Sequence, residues 1–235
     1  MIQYLRLRHT FDAPAMQREV ARLTQNYWKA HYNHSHYEGD WSVLPLRALG
    51  GAADSIVSVH TGAAAPGMYR DTPLLDTCPY LRSVIDSFDC RKTSIRLMKL
   101  SAGALIREHT DHDMHLEAGE ARLHIPVQTN PDVAFYIMND RIPMQEGECW
   151  YLNLSLPHRV HNAGATDRIH LVIDCIANDW LKQLLGAPGL YRKEAASVWP
   201  DRHFSPEEQE RIIAELRRLN TPAALQQAAA LEAGR

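Results

Sequence analysis

The stretch IREHTDHD, residues 106–113, sets two histidines and three acids in eight positions. Within it His109 and Asp111 form an H-x-D pair. In extended backbone, residues two apart project to the same side, so one imidazole nitrogen and one carboxylate oxygen converge on a single point. Two such ligands are too few for a firm metal site. A third ligand from a distant strand completes a set of two histidines and one carboxylate. That set leaves three corners of an octahedron open, the arrangement of non-haem iron(II) oxygenases. The segment NLSLPHRVHNAG offers two candidates for it, His158 and His161.

A second chemical signal stands ten residues after His158, where Arg168 opens the run RIHLVID. Arg168, His170 and Val172 alternate onto one face of that strand, and Ile169, Leu171 and Ile173 onto the other. An arginine turned into a protein interior is costly unless it meets a negative charge. Its planar fork matches a carboxylate in bidentate fashion, so a dicarboxylic acid is a suitable partner. The run ARLHIPV repeats the design, with Arg122 and His124 on one face and Leu123 and Ile125 on the other.

These residues need strands to hold them. From Thr93 the runs TSIRLMKL, ARLHIPVQT, VAFYIM, ECWYLNL and RIHLVIDCI are short, rich in β-formers and separated by Gly, Asn, Asp or Pro. Several recur at spacings of roughly a dozen residues, which suggests a sandwich or barrel and not alternating βαβ units. Upstream, Met16, Val20, Leu23 and Tyr27 predict a helix over about 12–30. WSVLPLRAL reads as a strand interrupted by proline, SIVSVH as another strand and TGAAAPGMYRD as a loop. A helix is expected from an N-cap at Thr72 to Phe88. After Asn178 the helical pattern returns. Ser205, Pro206 and Glu208 predict a capping box at the start of one helix, and TPAALQQAAALEAGR predicts a second. The Ala/Leu-rich tail suits packing on the core or a homodimer interface.

The totals narrow the function class. The 235 residues are enough for a sizeable core. The formal charge of -3 argues against a nucleic-acid footprint. No apolar run approaches the roughly 18 residues of a membrane helix, and the opening MIQYLRLRHTFDAP lacks the layout of a signal peptide. Cys78, Cys90, Cys149 and Cys175 show no CxxC spacing, which makes a reducing cytoplasm the expected location.

In this order, IREHTDHD, ARLHIPV, GECWYLNLSLPHRVHN and RIHLVID resemble the aspartyl/asparaginyl β-hydroxylase family of Fe(II)/2-oxoglutarate-dependent dioxygenases, including its bacterial proline cis-4-hydroxylase-like members. A looser match through HYEGDWSVLPLRALGG and TSIRLMKL extends the resemblance to roughly residues 35–176. It implies that His109, Asp111 and His158 hold Fe(II). It also implies that Arg168 grips the far carboxylate of 2-oxoglutarate, and that His124, with Arg122, orients the end nearer the metal. The implied fold is mainly β with flanking helices, a double-stranded β-helix (jelly-roll, cupin-like) core. The expected domains are a dioxygenase domain over 1–177 and a C-terminal helical extension over 178–235. The implied reaction uses O2 and 2-oxoglutarate to hydroxylate an unactivated C–H bond, with release of succinate and CO2. The expected substrate is an amino acid, a small derivative or a short peptide. A protein Asp/Asn side chain is the alternative, and a metal-dependent hydrolase or a non-catalytic jelly-roll module are rivals from other classes.

Other residues read more plainly. His112, Asp113 and His115 are expected in a loop or rim, and Asn162 at a turn. His170 and Asp174 read as structural, and His31, His34 and His36 as a polar loop. Trp41 reads as core and Arg47 as a solvated charge, yet Trp41, Arg47 and Arg96 are also candidates to touch substrate.

Overall fold

Apolar and polar residues alternate along the strands, and that alternation sorts the chain into layers. The computed structural model describes residues 1–23, 25–57, 68–111, 114–194 and 205–233. The N-terminal part runs β1 (Ile2–Thr10), α1 (Ala13–Val20), β2 (Lys29–Ala30), β3 (Tyr37–Glu38), β4 (Trp41–Leu49), β5 (Tyr69–Asp71), α2 (Pro73–Asp76) and α3 (Pro79–Asp86). The central part runs β6 (Lys92–Leu100), β7 (Leu105–His109), β8 (Glu120–Gln128), β9 (Val133–Ile137), β10 (Asp140–Ile142), β11 (Glu148–Leu152), β12 (His158–Asn162) and β13 (Arg168–Ile176). The C-terminal part runs α4 (Asp179–Gly186), β14 (Arg192–Glu194), α5 (Pro206–Leu219) and α6 (Pro222–Ala233).

The larger antiparallel sheet has the order β14-β1-β11-β8-β13-β6-β4-β2, with β5 paired to β4, and the smaller has the order β10-β9-β12-β7-β3. From β6 to β13 the chain crosses between them: β6, β8, β11 and β13 lie in the larger, β7, β9, β10 and β12 in the smaller. This is a double-stranded β-helix, the expected fold class. Between the sheets lie Val43, Met98, Trp150 and Val172 from one and Ile106, Phe135, Ile137 and Val160 from the other. On the back of the larger sheet Leu97, Leu123, Ile125, Leu171 and Ile173 pack against Met16, Leu81, Ile85, Leu181 and Leu185 of the helices. Each strand of the larger sheet thus has one face committed to helices and one facing the other sheet.

Several boundaries differ from the expectation, each for a local reason. The helix expected over about 12–30 ends at Val20, and the chain goes on through a short 3-10 turn at Gln25–Tyr27 into β2. The helix expected from Thr72 is split. Cys78, just before Pro79, leaves helical backbone at φ -124° and ψ 69°, as steric conflict with the proline ring demands. Thr72 does not cap with its side chain; its hydroxyl donates to Pro45 O at 2.9 Å. Pro45 interrupts β4 as a register shift against β6, which resolves its missing N–H. No strand forms at residues 55–57, and the remainder of SIVSVH lies outside the described residues.

The capping box is present: Ser205 Oγ accepts from Glu208 N–H, and the Glu208 carboxylate accepts from Ser205 N–H. The tail helices pack on their own chain, where Ile212, Ile213, Leu216, Ala224 and Ala228 meet Leu49, Val57 and Tyr69. Among the described residues no helix is long and apolar enough to cross a membrane.

Leu123, fully buried between β8 and the helices, tests this layering. Leu123→Ala is expected to lower unfolding free energy by about 2–5 kcal/mol. A loss under about 1 kcal/mol in urea titration would show that the helices do not close this face.

Candidate active site

β7 and β12 are neighbours in the smaller sheet, and their register sets His109 opposite His158. Their ring centroids are 4.2 Å apart. Asp111 lies two residues past the pair, anchored by its N–H to Leu154 O at 2.8 Å. One ligand atom from each of His109, Asp111 and His158 lies within 4.8 Å of the others. His109 Nδ1 is 2.8 Å from Arg107 O and His158 Nδ1 is 3.0 Å from Leu156 O. A carbonyl accepts only, so each imidazole carries its proton on Nδ1 and leaves Nε2 with a lone pair. That tautomer is the one a metal needs.

The electrostatics favour the same protonation states. Burial, with His109 next to it, pulls His158 down to about 3. Burial works against the charge of Asp111, but Arg122, His158 and His109 outweigh it and hold the carboxyl below its usual range. Neutral imidazoles and an ionised carboxylate are the metal-binding forms.

Behind this trio sits a buried ion network. Asp174, at 0% exposure, faces Arg122 directly across the β13–β8 ladder. Its Oδ1 accepts from Arg122 Nε at 2.5 Å, and its Oδ2 accepts from Arg122 Nη2 at 3.0 Å and Arg96 Nη2 at 2.7 Å. Arg122 Nη1 also donates to Asp111 Oδ2, so Arg122 braces the acid of the trio. Burial opposes the charge of Arg122, but Asp174 and Asp111 raise its pKa above the ordinary arginine value.

Arg168 is different. It is 3% exposed, and among the described residues it has no carboxylate partner. Nη2 donates to His170 Nδ1 at 2.9 Å, the guanidinium lies 5.7 Å from the Phe135 ring centre, and Nε has no acceptor. Burial pulls its pKa down to about 9, which still leaves it charged at neutral pH. His124 sits 3.3 Å from His170 between Nδ1 atoms, and its buried Nε2 also has no partner. A buried cation and a neighbouring orphaned polar atom are what an anionic ligand in this place would satisfy.

A cavity of about 540 Å³ unites these groups; His109, Asp111, His158, Arg122, His124 and Arg168 all line it. The candidates resolve as follows. His161 lies on the exposed side of β12, where residues 158, 160 and 162 turn inward. Arg47 is outside the cavity, bonded to Asp71, Tyr69 O and Lys92 O. Arg96 and Trp41 line the cavity, and the Nε atoms of Arg96 and Trp41 (Nε1) have no partner. His115 accepts from Ala118 N–H at the start of a 3-10 turn. His112 and Asp113 lie outside the described residues.

Some lining residues had no clear sequence signal. His31, stacked on Trp41 at 3.6 Å, and His36, 4.8 Å from the His109 ring centre, line the cavity although their loop reads as merely polar. Ser205, Glu208 and Ile212 reach it from α5, which no local pattern predicts. Asp174 had a readable signal: it shares a strand face with Arg168 and His170.

The profile of the family described as aspartyl/asparaginyl beta-hydroxylase matches residues 10–178. The L-proline cis-4-hydroxylase of Rhizobium meliloti (strain 1021) is 32% identical over 138 residues, 58% of this chain and 48% of that protein. The match therefore spans about half the length of that curated relative. Among solved structures, a Pseudomonas putida prolyl-4-hydroxylase gives a TM-score of 0.46 at 12% identity, covering 76% of this chain and 94% of that one. A 2OG-Fe(II) oxygenase family oxidoreductase from Burkholderia pseudomallei gives 0.42 at 16%, covering 71% and 81%. At these scores the solved structures carry no functional argument.

Two measurements test the site's physics. Asp174→Ala leaves Arg96 and Arg122 without their buried acid and is expected to lose about 3–5 kcal/mol of stability in chemical denaturation; a loss near zero would mean solvent already reaches these groups. For the pH dependence, the unfolded chain binds a proton at His158 near pH 6.5, whereas the folded protein resists it down to about 3. Acid therefore favours the unfolded state across that window. Between pH 7.5 and 5.5 the metal-free protein is expected to lose about 1.4 kcal/mol from this group alone. Stability that is flat or rising over that interval, measured by urea unfolding, would contradict a buried neutral His158.

Proposed function

The chain belongs to the aspartyl/asparaginyl β-hydroxylase family, and from that premise we propose that it is an Fe(II)/2-oxoglutarate-dependent dioxygenase that hydroxylates an amino acid, a small derivative or a short peptide. The observation that carries this reading is the conjunction of the His109–Asp111–His158 trio with the acid-free guanidinium of Arg168 in one cavity. In this reading His109 and His158 bind iron through Nε2 and Asp111 through Oδ1, while Arg122 keeps Asp111 Oδ2 engaged. Arg168 receives the far carboxylate of 2-oxoglutarate, and His124 with the spare N–H groups of Arg122 orients the nearer end. When bound, iron(II) and 2-oxoglutarate supply the O2-dependent oxidation that converts C–H into C–OH, with succinate and CO2 as coproducts. The protein's own part is to fix ligand geometry and hold one C–H bond in place.

Arg96 offers a substrate carboxylate its unpartnered Nε, and Trp41 offers an apolar wall with an unpartnered N–H. An amino acid such as L-proline, by analogy with the Rhizobium relative, fits these two groups. A metal-dependent hydrolase has no use for the charge of Arg168. The division at residues 177/178 belongs to the same proposal, the first part housing the chemistry and the second covering the cavity mouth.

With Fe(II), ascorbate and 2-oxoglutarate the protein is expected to release succinate slowly without a prime substrate and faster with an accepted amino acid, the product gaining one oxygen in mass spectrometry. Asp111→Ala is expected to abolish metal-dependent turnover. Arg168→Ala is expected to weaken 2-oxoglutarate binding by about 10- to 100-fold, the worth of a charged hydrogen-bonded pair. Unchanged cosubstrate affinity in calorimetry would overturn this placement of the dicarboxylate.

A further inference from the structure

The cavity wall contributed by α5 lies wholly beyond residues 10–178, the segment that matches the family. Within that wall Glu208 is the charged residue. Glu108, another acid at the cavity, gives its Oε2 to Arg159 at 3.0 Å. Glu208 has no arginine or lysine partner among the described residues. One of its oxygens, Oε2, accepts from Ser205 N–H at 3.0 Å in the capping box. The other, Oε1, lies 3.3 Å from His36 Nε2.

The protonation of that His36 nitrogen follows from its other neighbour. Asn33 Oδ1 accepts from Arg211 Nη1 at 2.7 Å and from Ser35 Oγ at 2.7 Å, which orients the amide. Asn33 Nδ2 is therefore the donor to His36 Nε2, at 3.1 Å. A nitrogen that accepts from Asn33 carries a lone pair and does not donate to Glu208. Two acceptors, His36 Nε2 and Glu208 Oε1, thus face each other at 3.3 Å with no donor between them, on the wall of the substrate cavity. An ammonium or secondary ammonium group, with several N–H bonds and a positive charge, satisfies both.

We propose that Glu208, with His36, is the receptor for the substrate's cationic amine, so that α5 makes the enzyme selective for a free amino acid over the same residue within a peptide. This rests on the hydroxylase reading above. Arg96 then takes the carboxylate end of the zwitterion, and the iron site the carbon between. Specificity resides outside the family segment because the iron and cosubstrate ligands serve any substrate, whereas Glu208 meets only one that carries a free amine.

Glu208→Gln tests it, since glutamine preserves the capping box while removing the charge. The twenty common L-amino acids, L-proline first, are compared with their N-acetyl forms by succinate release and by calorimetric binding to protein loaded with Mn(II) and 2-oxoglutarate under nitrogen. Wild type is expected to favour the best free amino acid over its N-acetyl form by at least tenfold in kcat/KM and in Kd. In Glu208→Gln that ratio is expected to fall below threefold, chiefly through KM. Damage to the helix alone would weaken both forms together and leave the ratio intact. An undiminished ratio in the variant, or a wild type that accepts N-acetyl forms as well as free ones or accepts no free amino acid, overturns the proposal. Failure of the hydroxylase reading is separately visible: wild type would then neither bind 2-oxoglutarate in the presence of Mn(II) nor form succinate without substrate.

Discussion

The interior of this protein depends on the pairing of buried charge. Three arginines, Arg96, Arg122 and Arg168, are 7% exposed or less, and a guanidinium out of water is sustained only by hydrogen-bonded negative partners. Asp174 serves two of them through both of its oxygens, and Arg122 passes the constraint on to Asp111. The orientation of a proposed iron ligand is thus tied to a salt bridge one layer behind it. A buried ion network of this kind contributes little net stability compared with apolar packing, but it admits few alternative geometries. Arg168 breaks the pattern, a cation whose neighbours are a neutral imidazole and an aromatic ring, and the break falls where the proposed cosubstrate would supply the missing charge.

That network is rigid because of what lies on either side. The larger sheet turns its apolar face to α1, α3 and α4, so the strands bearing Arg96, Arg122, Arg168 and Asp174 cannot rotate without exposing Leu97, Leu123, Leu171 or Ile173. A one-residue slip in register would exchange the two faces completely. The cross-strand partners Asp174 and Arg122 are therefore held by the same hydrophobic burial that builds the core. The smaller sheet does the equivalent for the trio, setting His109 and His158 side by side on adjacent strands and locking each ring through a main-chain carbonyl. Chemistry placed on strands in this way is positioned more tightly than chemistry placed on loops.

The mouth of the cavity is built on different terms. Its walls come from the loop carrying His31, Asn33 and His36 and from the first turns of α5, held together by Arg211 on Asn33 and Ser35. These contacts are polar and partly exposed, so they can differ between relatives without disturbing the ion network beneath. A fold that keeps its reacting centre in the sheets and its selectivity in appended segments can change substrate at small risk to folding.

Much of the fold was legible in the sequence, because a strand buried on one side writes its two faces as alternation. Arg168, His170 and Val172 against Ile169, Leu171 and Ile173 declared both the strand and the odd polar interior, and Ser205-Pro206-x-Glu208 declared the start of α5 to the residue. The trio His109, Asp111 and His158 was legible as a set of metal-capable types, although the choice of His158 over His161 rested on family resemblance. Only the tertiary structure turned His161 outward and His158 inward, since the face a strand presents depends on register with β7 and β9. It likewise joined Asp174 to Arg122 and Arg96, parted Arg47 from the cavity, and brought Glu208 beside His36, 172 residues earlier in the chain. Local pattern encodes which way a side chain points relative to its own backbone. Which distant side chain it then meets is decided by how the layers bury their apolar faces together, and no window of sequence contains that.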